Sequence, residues 1–276
     1  MQKGHFLISC LFLYVSANAQ QYPIFYYTPN EGLINSRVRD IRQGSNGLLY
    51  MITYSGLSVY DGVRFTNYSR AEGLANELVN DLTEVAPDSF WVATNTQTLN
   101  TLVKGRIGTY QTADGFCPLI NRFLKSRDGE WYILSDNGIF LLKDKKFTRI
   151  ALIDSHGNDL GKYLDNIIEW KDFFLITPWK TDLNEKLILY NRNTKQIADL
   201  YTEGPVYSMS RDSLDQVWIS IPEGIRILDP DQLQKGRIVL KNLPKKFQSI
   251  SNQASTAIYF DSKNNLWLYS KSLIKK

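Results

Sequence analysis

The sequence is short of the residues on which most enzyme chemistry depends. It holds two histidines and two cysteines in 276 residues, with no grouping at a metal-ligating spacing. His5 and Cys10 sit in the first ten positions, which leaves His156 and Cys117 for the rest of the chain. One cysteine closes no internal disulfide, so stability has to come from packing. A Ser-His-Asp triad would need His156, in DSHGND, and no G-x-S-x-G elbow presents a nucleophile to it. Its neighbourhood also lacks the character of a kinase dimerisation helix, and a satisfied loop histidine is the reading taken. Phosphate loops and dinucleotide fingerprints are absent. Charge of one sign is lacking too: the net charge is +4, with no long basic stripe, which argues against a nucleic-acid partner. The small clusters KDKK (143–146) and LPKK (243–246) read as solvated turns or edge-strand protection.

Long apolar runs are missing after the first twenty residues. MQKGHFLISCLFLYVSANAQ itself carries Lys3, an apolar stretch from Phe6 to Val15, then Ala17-Asn18-Ala19. This is the pattern of a secretory signal, predicted to be cut after Ala19, giving an exported, periplasmic protein without a membrane span in the mature chain. The competing membrane anchor would need an apolar run of about 20 residues. A lipoprotein cut at Cys10 would leave almost no apolar region before it.

What the sequence does have is hydrophobic content of 43% and aromatic content of 13%, with 16 tyrosines. That composition supports a core and leans towards strands. In NGLLYMITYSGLSVYDGVRF (46–65), Asn46-Gly47, Ser55-Gly56 and Asp61-Gly62 bracket short apolar runs. Such pairs reach positive φ at low cost, so the stretch reads as a meander of tight hairpins.

The meander repeats. LLYMIT, SFWVAT, EWYILS, DFFLIT, QVWISI and NLWLYS align on Tyr50, Trp91, Tyr132, Phe174, Trp218 and Trp267, spaced by 41, 41, 42, 44 and 49 residues. An acidic-Gly pair recurs independently at Gly32, Gly73, Gly115 and Gly204, with Gly157 in the fourth unit. Nine residues before the anchor lies another apolar position, Ile41, Leu82, Phe123, Met209 and Ile258, and the fourth unit breaks this spacing by a deletion near Trp170. Four short strands per 40–45 residues is the signature of a β-propeller blade. The expected fold is all-β: about six four-stranded blades over residues 20–276, with units near 33–73, 74–115, 116–157, 158–204, 205–250 and 251–276. PIFYYTPNEGL (23–33) matches RFTNYSRAEGL (64–74), so residues 24–28 are expected to be an outer strand that clasps the incomplete last blade.

Unit one, GLINSRVRDIRQGSNGLLYMITYSGLSVYDGVRFTNYSRAEGL, resembles the two-component regulator propeller repeat. It has the Gly-Leu start, the Val-x-x-Ile strand, the Asn-Gly turn, the aromatic, a second Gly-Leu and Tyr-Asp-Gly before an aromatic. Unit two has Gln97 where a turn glycine is expected, and unit four carries an insertion in ITPWKTDLNEKLILY. The resemblance implies the periplasmic sensor region of a membrane histidine kinase of Bacteroidetes-type bacteria, and some such sensors bind oligosaccharides. The sandwich, membrane helix and kinase that complete such receptors are not in the sequence, so the reading is of a fragment or truncated form.

Two function classes remain. One is a non-enzymatic sensor needing no cofactor or metal, with an oligosaccharide ligand and self-association through propeller packing. The other is a propeller lyase or glycosidase acting on polysaccharide. The carboxylate pairs Asp212/Asp215 and Asp154/Asp159 could serve acid-base chemistry or calcium, but aspartates in hairpin turns ordinarily cap backbone donors. Binding has the better candidates. Loops entering the inner strands converge on the channel of a propeller, and here they carry Asn35, Ser36, Arg37, Asn76 and Glu77, with Arg39, Asn80, Asn121 and Tyr207 opening the inner strands. From these the expected ligand-binding set is Asn35, Arg37, Arg39, Asn76, Asn80, Asn121 and Tyr207.

Overall fold

Gly-rich turns and β-branched or aromatic runs cut the chain into short antiparallel strands, grouped in separate sheets within which each strand is hydrogen-bonded to the one before it. The computed structural model describes residues 25–178, 187–252 and 257–269. Blade 1 is Val38–Gln43, Leu49–Thr53, Gly56–Tyr60 and Phe65–Tyr68; blade 2 is Val79–Ala86, Ser89–Thr94, Leu99–Val103 and Arg106–Thr109. Blade 3 is Ile120–Lys125, Trp131–Ser135, Gly138–Lys143 and Lys146–Ile150; blade 4 is Leu164–Trp170, Phe173–Pro178, Leu187–Asn191 and Gln196–Tyr201. Blade 5 is Ser208–Arg211, Val217–Ile221, Gly224–Leu228 and Leu240–Lys241, and a sixth sheet has two strands, Ala257–Phe260 and Leu266–Tyr269. In blades 1 to 5 the four strands lie side by side in chain order, from an inner strand on the channel to an outer one.

The core lies between blades, so the two faces of an interior blade each pack on a neighbour. Tyr50, Ile52, Leu57 and Val59 of blade 1 form one cluster with Leu82, Phe90, Val92 and Leu102 of blade 2. The anchor aromatic of one blade meets the residue before the next anchor: Tyr50 with Phe90 at 4.3 Å, Trp91 with Trp131 at 4.9 Å, and Tyr132 with Phe174 at 4.6 Å between ring centroids. Burial of such rings is worth ~1.5–3 kcal/mol per side chain. This explains why the repeat keeps an apolar pair, one residue facing each neighbour.

The third strand of blade 1 begins at a glycine for a steric reason. Gly56 has φ +134°, and a Cβ there would lie 2.3 Å from the Tyr68 carbonyl oxygen. Gly224 stands in the same place in blade 5, at φ +119° and against the Ser251 carbonyl.

The structure departs from the sequence reading in three places. Five blades have four strands, and where an incomplete or clasped sixth blade is expected there is a sheet of two strands among the described residues. Among the described residues the clasp is not formed: residues 25–28 are in no strand, and Tyr27 packs instead on Tyr60 and Phe65 of blade 1, its hydroxyl 3.0 Å from that of Tyr60. Thr28 and Glu31 cap a short turn there, as Ser69 and Glu72 do before blade 2. The segment thus precedes blade 1 as a preceding blade's outer strand would, held by side chains rather than a ladder.

The third departure concerns the anchor of unit four, which is Leu175 rather than Phe174. Leu175 packs forward with Met209 and Ile219 of blade 5, while Phe174 faces back to Tyr132. The physical reason is a two-residue turn, Lys171-Asp172, between paired Trp170 and Phe173, where blade 1 uses five residues between Gln43 and Leu49. A strand exposes opposite faces at successive positions, so a one-residue error in register exchanges its two neighbours.

Blade 5 also carries a short helix, Pro230–Gln234, capped by Asp229, between its third and fourth strands. The expected leader at 1–19 and most of the unit-four insertion lie outside the described residues.

Candidate functional site: the channel and its mouth

Inner strands from all six sheets line a central cavity of about 1090 Å³. One wall is charged, with Arg39, Asp40, Arg42, Arg122 and Asp165. The other is largely apolar, with Pro205, Val206, Tyr207, Met209, Ile258 and Tyr259. At the mouth a second pocket of about 300 Å³ is lined by Arg39, Tyr54, Leu78, Asn80, Asn95, Asn121, Asp136 and Asp165.

The mouth residues follow from the repeat. Arg39, Asn80, Asn121, Asp165 and Tyr207 hold one position, two residues before Ile41, Leu82, Phe123, Ile167 and Met209. Each of the first three reaches the next blade. Arg39 Nη1 donates to the Val79 carbonyl at 2.9 Å and to Asn80 Oδ1 at 3.2 Å. Asn80 Nδ2 donates to the Ile120 carbonyl at 2.9 Å, and Asn121 Nδ2 to the Leu164 carbonyl at 2.9 Å and to Asp136 Oδ1 at 2.8 Å. These side chains lock neighbouring inner strands together and so hold the mouth in one shape. A rigid polar concavity suits ligand recognition, since little ordering is left to be done on binding.

Of the seven residues expected to bind, Arg39, Asn80 and Asn121 meet in the mouth pocket, and Tyr207 lines the larger cavity. Asn35, Arg37 and Asn76 line neither. Asn35 ties its own loop, donating to Ser55 Oγ and accepting from the Arg37 backbone N–H at 2.7 Å, and Asn76 accepts from the Leu78 N–H. Sequence reading missed Tyr54, Asn95, Asp136 and Asp165. The first three are spaced by 41 residues, in the turn after the second strand, so the period itself marks them. Asp165 was hidden by the broken spacing of unit four.

The Tyr54 ring lies half exposed beneath the Arg39 guanidinium, 5.5 Å from its centroid. An exposed ring face beside a guanidinium, three asparagines and two carboxylates offers both a flat apolar platform and bidentate polar partners.

Deeper in the channel the carboxylates are close together but occupied. Arg42 Nη2 is 2.9 Å from Asp40 and 3.2 Å from Asp81, and Arg122 reaches Asp40 at 3.5 Å, Asp81 at 3.8 Å and Asp165 at 3.8 Å. Asp81 Oδ2 also accepts the Phe123 backbone N–H at 2.8 Å, and Asp40 Oδ1 accepts that of Ile41. Burial pushes the Asp81 carboxyl up, and the Arg122 and Arg42 charges pull it back. Desolvation opposes the Arg122 charge, but Asp81, Asp165 and Asp40 outweigh it and hold that guanidinium more firmly protonated. A carboxylate whose oxygens already accept from arginines and backbone is a poor general base.

The other candidate carboxylates do structural work. Asp212 caps its turn and accepts the Trp218 indole N–H, while Asp215 pairs with Arg127 at 2.7 Å and Arg211 at 3.2 Å. Asp154 accepts the His156 and Asn158 N–H groups, and Asp159 pairs with Arg149. His156 is exposed on that turn and lines neither cavity. Among the described residues no group of three or more histidine, cysteine or carboxylate side chains could hold a metal, and no helix is long and apolar enough to cross a membrane.

No family model and no curated protein matches the chain. Solved structures do. The extracellular domain of BT4673 from B. thetaiotaomicron, described as a one-component or hybrid two-component system, aligns at 18% identity and TM-score 0.52, over 87% of this chain and 38% of that one. PorZ, a surface component of the type-IX secretion system of Porphyromonas gingivalis, aligns at 16% identity and TM-score 0.65, over 90% of this chain and 40% of that one. Virginiamycin B lyase from Staphylococcus aureus aligns at 16% identity and TM-score 0.57, over 83% and 76%. The chain therefore spans about 40% of the length of these extracellular domains and of PorZ. At these identities the likeness establishes the propeller fold. The extracellular domains among these neighbours have the propeller fold that the resemblance of unit one implies.

Proposed function

We propose that the chain is an exported, non-enzymatic sensing propeller that binds an oligosaccharide at the mouth of its channel, as part of a larger receptor. The observation that carries this reading is the mouth pocket, where Tyr54, Arg39, Asn80, Asn95 and Asn121 converge on strands tied blade to blade. Sugars present an apolar ring face flanked by hydroxyls, and that pairing of surfaces matches an exposed tyrosine ring surrounded by amides and a guanidinium. Neighbours described as one- and two-component systems support a signalling role. A ring of interlocked blades is stiff, so a signal would travel through how the ring packs on a partner, which a ligand can shift only by preferring one packing state.

A second reading has its own observation. Asp40 and Asp165 line the channel around Arg122, with the buried Asp81 behind them, and virginiamycin B lyase is a neighbour with this fold. A lyase or glycosidase would need one of these carboxylates free of its arginines. Calorimetry against a library of oligo- and polysaccharides, with chromatography of each mixture, separates the readings. Saturable heat with intact sugar supports the sensor. Product formation abolished by Asp40→Asn moves the assignment to the enzyme, and no heat from any sugar refutes the ligand class.

A further inference from the structure

We propose that Arg39 makes the channel mouth selective for oligosaccharides that carry a carboxylate, the uronic acids, which its guanidinium takes through Nε and Nη2. The proposal rests on the reading of the mouth as a sugar site and adds the charge of the sugar. Three arginines line the channel, and two of them are paired with carboxylates. Arg42 lies 2.9 Å from Asp40 and 3.2 Å from Asp81, and Arg122 lies 3.5 Å from Asp40 and 3.8 Å from both Asp81 and Asp165. Arg39 has no carboxylate partner among the described residues. Its contacts are to neutral groups: Nη1 donates to the Val79 carbonyl at 2.9 Å and to Asn80 Oδ1 at 3.2 Å, and the Tyr54 ring centroid lies 5.5 Å away.

Those contacts fix the guanidinium and leave its Nε–Nη2 edge for a ligand. That edge offers two parallel N–H donors at the spacing of carboxylate oxygens, and such charge-assisted bonds are about twice as strong as neutral ones. Asn80 is itself held, donating to the Ile120 carbonyl at 2.9 Å, so little ordering is left for binding. At the same repeat position blades 2 to 5 carry Asn80, Asn121, Asp165 and Tyr207, so among these five blades blade 1 alone places a cation at this level. The carboxylates of the mouth are engaged with other partners: Asp165 with Arg122 at 3.8 Å, and Asp136 with Asn121 Nδ2 at 2.8 Å. They repel an anion from their own side, and Arg39 remains as the place where a sugar carboxylate meets an unpaired cation. The half-exposed Tyr54 ring beside it supplies the apolar face for the sugar ring.

Calorimetry of the full chain with trimers of galacturonic, glucuronic and mannuronic acid, each beside its carboxyl-reduced counterpart, tests this. In at least one pair the acid should bind at least tenfold more tightly than the reduced sugar, and the difference should shrink at high salt. Arg39→Gln should abolish the preference, and Arg39→Lys should restore only part of it, because an ammonium lacks the fork. Arg37→Gln removes an exposed charge that lines neither cavity and should keep the preference in full. Each variant is checked for unchanged Tm, and the sugar pairs on the unsubstituted chain decide the matter even if a variant fails to fold. Reduced sugars bound as tightly as the acids overturn the proposal and leave the sugar site standing. So does a preference that survives Arg39→Gln or is lost in Arg37→Gln. No binding of any trimer, acid or reduced, overturns both the proposal and the reading beneath it.

Discussion

Trp91 and Trp267 occupy one position of the repeat in two environments, so truncating each to alanine measures what a following blade is worth. Trp91 is 9% exposed and meets Trp131, Tyr110 and Phe123 at centroid distances of 4.9, 5.3 and 6.0 Å. Removing so buried an indole costs about 3–5 kcal/mol. Trp267 is 63% exposed, and its indole N–H donates to Asp261 at 3.0 Å in a solvent-facing turn. About a third of its ~250 Å² is withdrawn from water, worth at most ~2 kcal/mol at ~25 cal/mol per Å². Guanidinium unfolding of the full chain, followed by far-UV circular dichroism, gives both losses if the slope is unchanged. Trp91→Ala should cost at least about 1 kcal/mol more than Trp267→Ala does. Equal losses would refute the reasoning, because the outer face of the sixth sheet would then be covered.

Other positions give sharper local tests. Asn121→Ala removes the donor that joins the third inner strand to the Leu164 carbonyl and to Asp136, and should cost about 1–3 kcal/mol by thermal or chemical unfolding. Gly56→Ala places a methyl group against the Tyr68 carbonyl at a positive φ and should destabilise by about 2–3 kcal/mol, whereas Gly47→Ala, whose Cβ meets nothing within 4 Å, should cost clearly less in the same assay. The Asp261 carboxyl is held down to about 2, first by the Trp267 indole N–H, then by Asn265 and backbone donors. Its folded value lies below the ordinary one, so its contribution is complete above about pH 4 and is lost as pH falls through 2. Carboxyl NMR should show that titration, and an ordinary Asp261 value would mean that the turn is open in solution.

The propeller was legible because a radial repeat writes its period into the sequence twice, once as the aromatic anchor and once as the acidic-Gly turn. The same period places Arg39, Asn80 and Asn121 at one level of the channel and would have added Tyr54, Asn95 and Asp136. Legibility failed where the period was disturbed. A shortened hairpin turn moved the fourth anchor from Phe174 to Leu175 and concealed Asp165, since alternation makes a one-residue slip indistinguishable in composition while reversing the face. Asn35 and Asn76 close their own loops and line neither cavity, which spacing cannot reveal: such an asparagine and one that lines a channel look alike until the hydrogen bonds are drawn. The clasp failed on pairing, which sequence likeness to an outer strand cannot supply by itself.

On the proposed reading the channel mouth binds a sugar without catalysing its breakdown. Calorimetry of the intact chain with the best sugar from the library, beside Arg39→Ala and Tyr54→Ala chains of unchanged Tm, tests it most directly. The account predicts at least tenfold weaker binding in both variants and sugar recovered unaltered from every mixture. Full affinity in both variants, or turnover of the sugar by the intact chain, would contradict it.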